Sequence, residues 1–264
     1  MKPIHVTALQ LDLAWEAPAV NRQQIETRLR GVKTDLIILP EMFTTGFSMN
    51  AAALAEDMDN SETLSWMEDI AQGHQALVCG SLIIRDGGKY YNRFVFVSPD
   101  EGLSCEYDKR HLFALGGEDK PYTAGDAWTW MEWKGWRIVP QICYDLRFPV
   151  WSRNRRLEGG GLSYDLLIYA ANWPARRTYH WETLLRARAI ENQAFVVGVN
   201  RVGTDGTGLE YVGRSVILDP AGNPVAQCPD EPATLEATLD PAVLQDIREK
   251  LPFWRDADAF DVYA

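Results

Sequence analysis

The stretch Asp165-Leu166-Leu167-Ile168-Tyr169-Ala170-Ala171-Asn172 runs apolar from an acidic residue to a polar elbow. It is too short for a helix and apolar on both sides of its alternation, so it reads as a strand covered on both faces. The same grammar occurs in Asp35-Leu36-Ile37-Ile38-Leu39-Pro40-Glu41, and again where Arg137 to Ile142 ends in Cys143-Tyr144-Asp145. Further short β-rich runs lie at Ile4 to Leu11, Leu77 to Ile84, Phe94 to Val97, Phe195 to Val199 and Ser215 to Leu218. Between them, helical spacing puts Ile25, Leu29 and Val32 on one face, then Leu64, Met67 and Ala71, then Trp181, Leu184, Leu185 and Ala189. Ser61, three residues before Leu64, is a helix start signal. Strands interleaved with helices predict an α/β layered domain. With no Gly/Ser/Pro-rich linker, charge block or low-complexity tract, residues 1–264 read as a single domain. Ligands gather at the C-terminal ends of parallel strands, so Glu41, Cys143 and Asn172 are expected to meet at one edge of one sheet.

The 264 residues carry 26 Lys and Arg against 37 Asp and Glu, a net charge of −11 at pH 7. So acidic a surface repels phosphate backbones and anionic lipid, and neither nucleic acid nor membrane is expected as a partner. An anionic substrate would then need a local cationic pocket. No apolar run approaches the roughly 20 residues of a membrane span, and Met1-Lys2-Pro3-Ile4-His5-Val6-Thr7 does not begin a signal peptide. Cys79, Cys105, Cys143 and Cys228 are too few and too scattered for a disulfide scaffold. A reducing, cytoplasmic setting is expected, in which one cysteine can work as a free thiolate. The histidines (His5, His74, His111, His180) show no paired ligand spacing, so no metal is expected. Gly203 to Gly208 leads into the strand-like Tyr211 to Leu218, so it reads as a hairpin turn rather than a phosphate loop. No nucleotide cofactor is indicated.

Cys143 stands where a buried strand stops. A nucleophile at such an elbow faces the reactive edge, and the N–H groups after it can face an oxyanion. The commoner fate of a free cysteine is to be a small buried hydrophobe. Glu41 follows Leu39-Pro40 directly after a strand, where it can serve as a general base or simply as a first-turn acidic residue. Lys109, after the strand-like Gly102 to Glu106, can hold an oxyanion by charge or belong to a surface basic cluster, the reading kept for Arg110. His111 is the one candidate for a papain-like Cys–His pair, but a lone His before Leu112-Phe113 reads better as a structural hydrogen-bonder.

Taken together, Leu39-Pro40-Glu41, Tyr107-Asp108-Lys109 and Ile142-Cys143-Tyr144-Asp145-Leu146-Arg147-Phe148-Pro149 resemble the three signature blocks of the nitrilase superfamily, in that family's order. Ala171-Asn172-Trp173-Pro174 and the run from Leu185 to Gln193 resemble its later blocks, so the pattern covers nearly the whole chain. The phrases Glu41 to Phe47, Asp108 to Phe113 and Cys143 to Trp151 most resemble the bacterial omega-amidases, which hydrolyse 2-oxoglutaramate.

The resemblance implies a four-layer α-β-β-α sandwich that pairs into homodimers or larger homo-oligomers through the face near the Cys elbow, with no metal or organic cofactor. By position it implies Cys143 as nucleophile, Glu41 as general base and Lys109 as oxyanion stabiliser, with Glu118 as a second glutamate beside them. Asp145 and Arg147 match framework positions and read as a pair fixing the elbow. The implied reaction cleaves the terminal amide of small dicarboxylic acid monoamides (2-oxoglutaramate, 2-oxosuccinamate) to acid and ammonia through a cysteine thioester. The Tyr144 N–H would be the second oxyanion donor, with Asn172 and Trp173 lining the substrate. A distal carboxylate calls for a cation in the pocket. Arg176 is the first choice with Arg177 beside it, Arg201 is a weaker candidate, and an ordinary exposed basic pair is the alternative. Trp173, Phe43 and Phe47 are candidate apolar walls. Two alternatives stay open: a superfamily relative acting on another aliphatic amide, an N-carbamoyl compound or a nitrile, and a non-catalytic scaffold of the same fold.

Overall fold

Alternation along the strands decides the layers. The computed structural model describes residues 1–262, so the last two residues of the expected 1–264 domain lie outside the described residues. The first half of the chain gives β1 (Ile4–Gln10), α1 (Pro18–Leu29), β2 (Leu36–Ile38), α2 (Ala51–Leu54), β3 (Glu56–Asp57), α3 (Glu62–His74), β4 (Leu77–Asp86), β5 (Lys89–Ser98) and β6 (Gly102–Asp108). The second half begins with β7 (Met131–Trp133), β8 (Trp136–Ile142), β9 (Leu166–Ala171), α4 (Thr178–Asn192) and β10 (Phe195–Asn200). It ends with β11 (Val202–Thr204), β12 (Glu210–Val212), β13 (Val216–Leu218), β14 (Pro224–Gln227), β15 (Ala233–Leu239) and α5 (Pro241–Lys250). One sheet runs β15-β1-β2-β4-β5-β6 with β3 beside β4, and the other runs β14-β13-β10-β9-β8-β7. At the centre of each, β1, β2 and β4 are parallel, as are β8, β9 and β10.

Successive side chains on a strand point to opposite faces. Ile4, Val6, Ala8, Leu36, Ile38, Phe94 and Phe96 therefore meet Ile138, Leu166, Ile168, Val197 and Val199 between the sheets. Their neighbours Leu9, Ile37, Val78, Val95 and Val97 face the other way, onto Ile25, Leu29, Leu64, Met67 and Ala71 of α1 and α3. On the far side Val139, Leu167, Tyr169 and Val196 pack under Trp181, Leu185 and Ala189 of α4. The result is the expected four-layer α-β-β-α sandwich, and it explains why the strands are apolar on both faces. Ser61 caps α3, its hydroxyl accepting the Leu64 N–H at 2.9 Å. The glycine-rich turn joins β11 and β12 as an antiparallel hairpin, with Asp205 accepting the Thr207 and Leu209 N–H groups.

Two readings change. Val32 is not on α1, which stops at Leu29 before the left-handed Gly31 (φ 76°). The chain after Leu218 also carries β14, β15 and α5, which no apolar run marks in the sequence.

Candidate active site

Glu41 follows β2 in one sheet, while Cys143 and Asn172 follow β8 and β9 in the other. The three meet as expected, but across the two sheets and not along one edge. The join is direct: the Asn172 backbone N–H donates to Glu41 Oε2 at 2.8 Å, and its side-chain amide donates to the Glu41 carbonyl at 2.7 Å.

Lys109, at the end of β6, reaches into this junction. Its Nζ lies 2.8 Å from Glu41 Oε1 and 2.9 Å from both oxygens of Glu118. Glu41, Lys109 and Glu118 are each 0% exposed. Burial works against the ammonium, but Glu118 and Glu41 outweigh it and hold the Lys109 pKa above its ordinary value. Burial pushes the Glu118 carboxyl up, Lys109 pulls it down, and the charge of Glu41 pushes it up again. Glu118 is fixed further by the Phe113 N–H at 2.6 Å. The Phe47 ring closes the other side of the ammonium, its centroid 5.3 Å from Nζ.

Cys143 begins a 3-10 turn (Cys143–Arg147) at a positive φ of 41°, the strained elbow expected of an exposed nucleophile. The first N–H groups of such a turn have no partner within it. Asp145 holds the elbow: its carboxylate accepts the Ile142 N–H at 2.9 Å, the Tyr107 hydroxyl at 2.8 Å and the His111 N–H at 3.0 Å. The His111 ring is itself occupied, with Nδ1 2.8 Å from Asp145 and its face stacked on Phe148. It is therefore a structural hydrogen-bonder, and the papain-like alternative loses its base. Arg147 does not pair with Asp145 as expected; it lies over the Trp173 ring at 4.7 Å, facing the cavity, with His180 Nδ1 at 3.1 Å. The half-buried Cys143 thiol is pushed well above its ordinary pKa by desolvation and Glu41, while Lys109 pulls it down. A sulfur in this setting favours the thiol, so any nucleophilic use of it would call for a base.

A cavity of about 390 Å³ opens over this group, bordered by Cys143, Lys109, Tyr144, Asn172 and Trp173 on the reactive side. Arg147, Arg176 and Arg177 line its wall, and among the described residues none of them forms a salt bridge. Arg176 is exposed at the rim. Arg177 is half-buried against the Phe113 ring, and burial together with the charges of Arg176 and Arg147 lowers its pKa. Glu16 and Asp205 also line the cavity, but their carboxylates accept from Ser48 and from Thr207 and Tyr211, so the arginines stay unpaired and can form an anion site. Two other candidates fall away. Arg201 is buried outside the cavity, donating to Asp12 and to the carbonyls of Leu13 and Val202. Phe43 packs in the core under α3, its ring 6.1 Å from that of Trp66. The sequence reading also passed over Asn92, whose side-chain amide donates to both Glu41 and Glu118. Its one signal was an amide on an otherwise buried strand face. Among the described residues no group of three His, Cys, Asp or Glu is arranged to hold a metal ion, and no helix is long and apolar enough to cross a membrane.

Comparison with known proteins agrees with this geometry. Residues 5–249 match the carbon-nitrogen hydrolase family model. The chain is 46% identical to the Omega-amidase YafV of Escherichia coli (strain K12), covering all of both chains. It is 32% identical to the 2-oxoglutaramate amidase of Bacillus subtilis (strain 168), over 95% of this chain and 96% of that one. The crystal structure of XC1258 from Xanthomonas campestris, a CN-hydrolase superfamily protein with an arsenic adduct in its active site, superposes with a TM-score of 0.96 at 43% identity over the whole of both chains. Fold, site and sequence agree, and the chain belongs to the carbon-nitrogen hydrolase family.

Proposed function

We propose that this chain is an omega-amidase, releasing ammonia from the terminal amide of small dicarboxylic acid monoamides such as 2-oxoglutaramate and 2-oxosuccinamate. The observation that carries the reading is a Glu–Lys–Glu cluster beside a strand-end cysteine, under a cavity walled by three arginines without carboxylate partners. The names of the E. coli and B. subtilis relatives support it.

In this mechanism Glu41 takes the Cys143 proton as the sulfur attacks the amide carbon, forming the C–S bond and a tetrahedral oxyanion. The Lys109 ammonium and the Tyr144 N–H hold that oxyanion. Lys109 can do so because both Glu118 oxygens lie at the same 2.9 Å and can share one hydrogen, which leaves another free. Glu41 passes its proton to the departing nitrogen, and ammonia leaves a thioester. Water, deprotonated by Glu41 on the side where Glu118 sits, then releases the acid and restores the thiol. Trp173 walls the substrate and Asn172 holds Glu41 towards it. Arg177, with Arg176 at the rim, reads the distal carboxylate.

We also read residues 1–264 as one domain, acting in the cytoplasm as a homodimer or larger homo-oligomer. Ammonia release from a panel of 2-oxoglutaramate, 2-oxosuccinamate, glutamine, an N-carbamoyl amino acid and an aliphatic nitrile tests the activity. The first two are expected to be fastest, and a faster nitrile or carbamoyl substrate would overturn the assignment. Losing a charge-assisted bond, Arg177→Ala should raise KM for 2-oxoglutaramate roughly tenfold to a hundredfold and leave KM for a neutral amide unchanged. Equal effects on both would remove the arginine's role.

A further inference from the structure

We propose that Asn92 is a positioning residue that keeps Glu41 and Glu118 apart and holds Glu41 as the free base. This rests on the amide-hydrolase reading above. Asn92 is on β5, 0% exposed, between two carboxyls that share a single ammonium. Its Nδ2 lies 2.9 Å from Glu41 Oε1 and 3.0 Å from Glu118 Oε1, so each of its two N–H bonds serves one carboxyl.

The two carboxylates fix the orientation of this amide, because their oxygens can only accept and the NH₂ end must therefore face them. Asn92 Oδ1 then accepts the Ser81 hydroxyl at 2.8 Å, while Ser81 Oγ accepts the Met42 backbone N–H at 2.9 Å. Ser81 is also 0% exposed, so water does not compete for these bonds.

Among the described residues, the titratable groups facing Asn92 or its two glutamates are Lys109 just after β6, the Cys143 thiol from the elbow after β8, and the Tyr122 phenol, which donates to the Ser48 carbonyl at 2.6 Å; the Asn172 and Phe113 N–H groups are neutral donors to the same carboxyls. Only Lys109 is cationic, so two ionised glutamates leave one negative charge in excess. Two close carboxyls in that position tend to share a proton, and their titration belongs to the pair. A neutral double donor between them offsets their repulsion and keeps the Glu41 carboxyl placed to accept the Cys143 proton as the sulfur attacks.

Replacing the donor with an apolar side chain of similar size removes this effect. The acid limb of the kcat/KM profile on 2-oxoglutaramate should move to higher pH by about one unit in Asn92→Leu, since one lost hydrogen bond to an ionised group is worth a factor of ten or more. Ser81→Ala, which frees the amide to turn, should move it the same way by less. Asn92→Ser, which keeps one hydroxyl donor, should lie between Asn92→Leu and the parent. A second readout needs no substrate: the pH dependence of iodoacetamide alkylation at the Cys143 peptide should move in parallel. If 2-oxoglutaramate is not hydrolysed but the alkylation profile still moves, the substrate assignment fails and the positioning role stands. If any folded variant at Asn92 or Ser81 lacking the donor or its anchor loses activity with both acid limbs unmoved, the residue is merely structural and the proposal is wrong.

Discussion

At the scale of single residues, Lys109 carries two duties that oppose each other under mutation. On sequence alone, removing it reads as a loss of turnover and nothing more. The structure adds that, among the described residues, it is the sole cation between two fully buried carboxyls. Lys109→Met should therefore lose more than about a hundredfold in kcat, as for other single oxyanion donors, and also become unstable in a pH-dependent way. Without the ammonium, burial and the charge of Glu41 are left to raise the Glu118 carboxyl further above its ordinary range. Its contribution is then intact below the unfolded carboxyl range and is lost as pH rises through the raised value. The Tm deficit of Lys109→Met against the parent, followed by calorimetry, should widen from about pH 5 to pH 8, within the span of documented buried-glutamate values. A constant deficit would mean that the carboxyls are not held ionised by this lysine. Glu41, Lys109 and Cys143 were legible because each sits at a strand end inside a recognisable block. Asn92 was not, because Tyr90-Tyr91-Asn92-Arg93 looks like an ordinary half-exposed strand and its partner Glu41 lies 51 residues away. Arg147 was legible as a residue but not as a direction, since sequence does not say whether its guanidinium turns to Asp145 or to the cavity.

At the scale of elements, the site depends on how closely β4 approaches the end of β2. A Cβ on Gly80 would sit 2.8 Å from Leu39 Cβ and 2.9 Å from Phe43 Cδ1, the residues that bracket Glu41. The same segment is tied to β4 by the Leu39 N–H to the Cys79 carbonyl (2.8 Å) and the Phe43 N–H to the Ser81 carbonyl (3.2 Å). Gly80→Ala therefore has to displace the segment that carries Glu41. Overpacking of this kind costs about 1–3 kcal/mol, and losing the Ser61 cap of α3 costs about 1 kcal/mol. Gly80→Ala and Ser61→Ala should thus lower Tm by comparable amounts, while only Gly80→Ala should lower kcat at a temperature where both are folded. Equal turnover in the two would detach the β2–β4 contact from catalysis. The central strands and three long helices were readable from period alone, because each buries a continuous face. The tail was harder. In β15 only Leu235 and Leu239 are buried, and its partner β1 lies at the other end of the chain. In α5 only Leu244 is buried, so neither element stands out from its polar surroundings.

At the scale of the whole molecule, the charge arithmetic and the cavity are two sides of one design. A body of net charge −11 repels anions at long range, so in the proposed reading selectivity for an anionic amide rests on Arg147, Arg176 and Arg177, which line the cavity, at short range. Composition foretold that need but not its location, because the arginines come from two elbows, after β8 and β9, that the pairing of those strands sets side by side. The same elbow faces outward as well. Just beyond it Val150 is 54% exposed, and with Phe260 at 37%, Pro149 and Ala257 it forms the apolar side of a shallow hollow whose other side carries Arg153, Asp256 and Asp258. An apolar rim against the nucleophile's own turn is where the proposed self-association would seat, burying about 800 Å² per partner in a standard interface. Multi-angle light scattering of the parent should give at least twice the 29.8 kDa of one chain. Val150→Glu, which places a charge where an interface core excludes it, should return the single-chain mass. Because the turn that follows Cys143 would lose its support, kcat should fall with it. A parent that runs as a single chain would end the oligomer reading, and a Val150→Glu variant of unchanged mass would move the interface to another face.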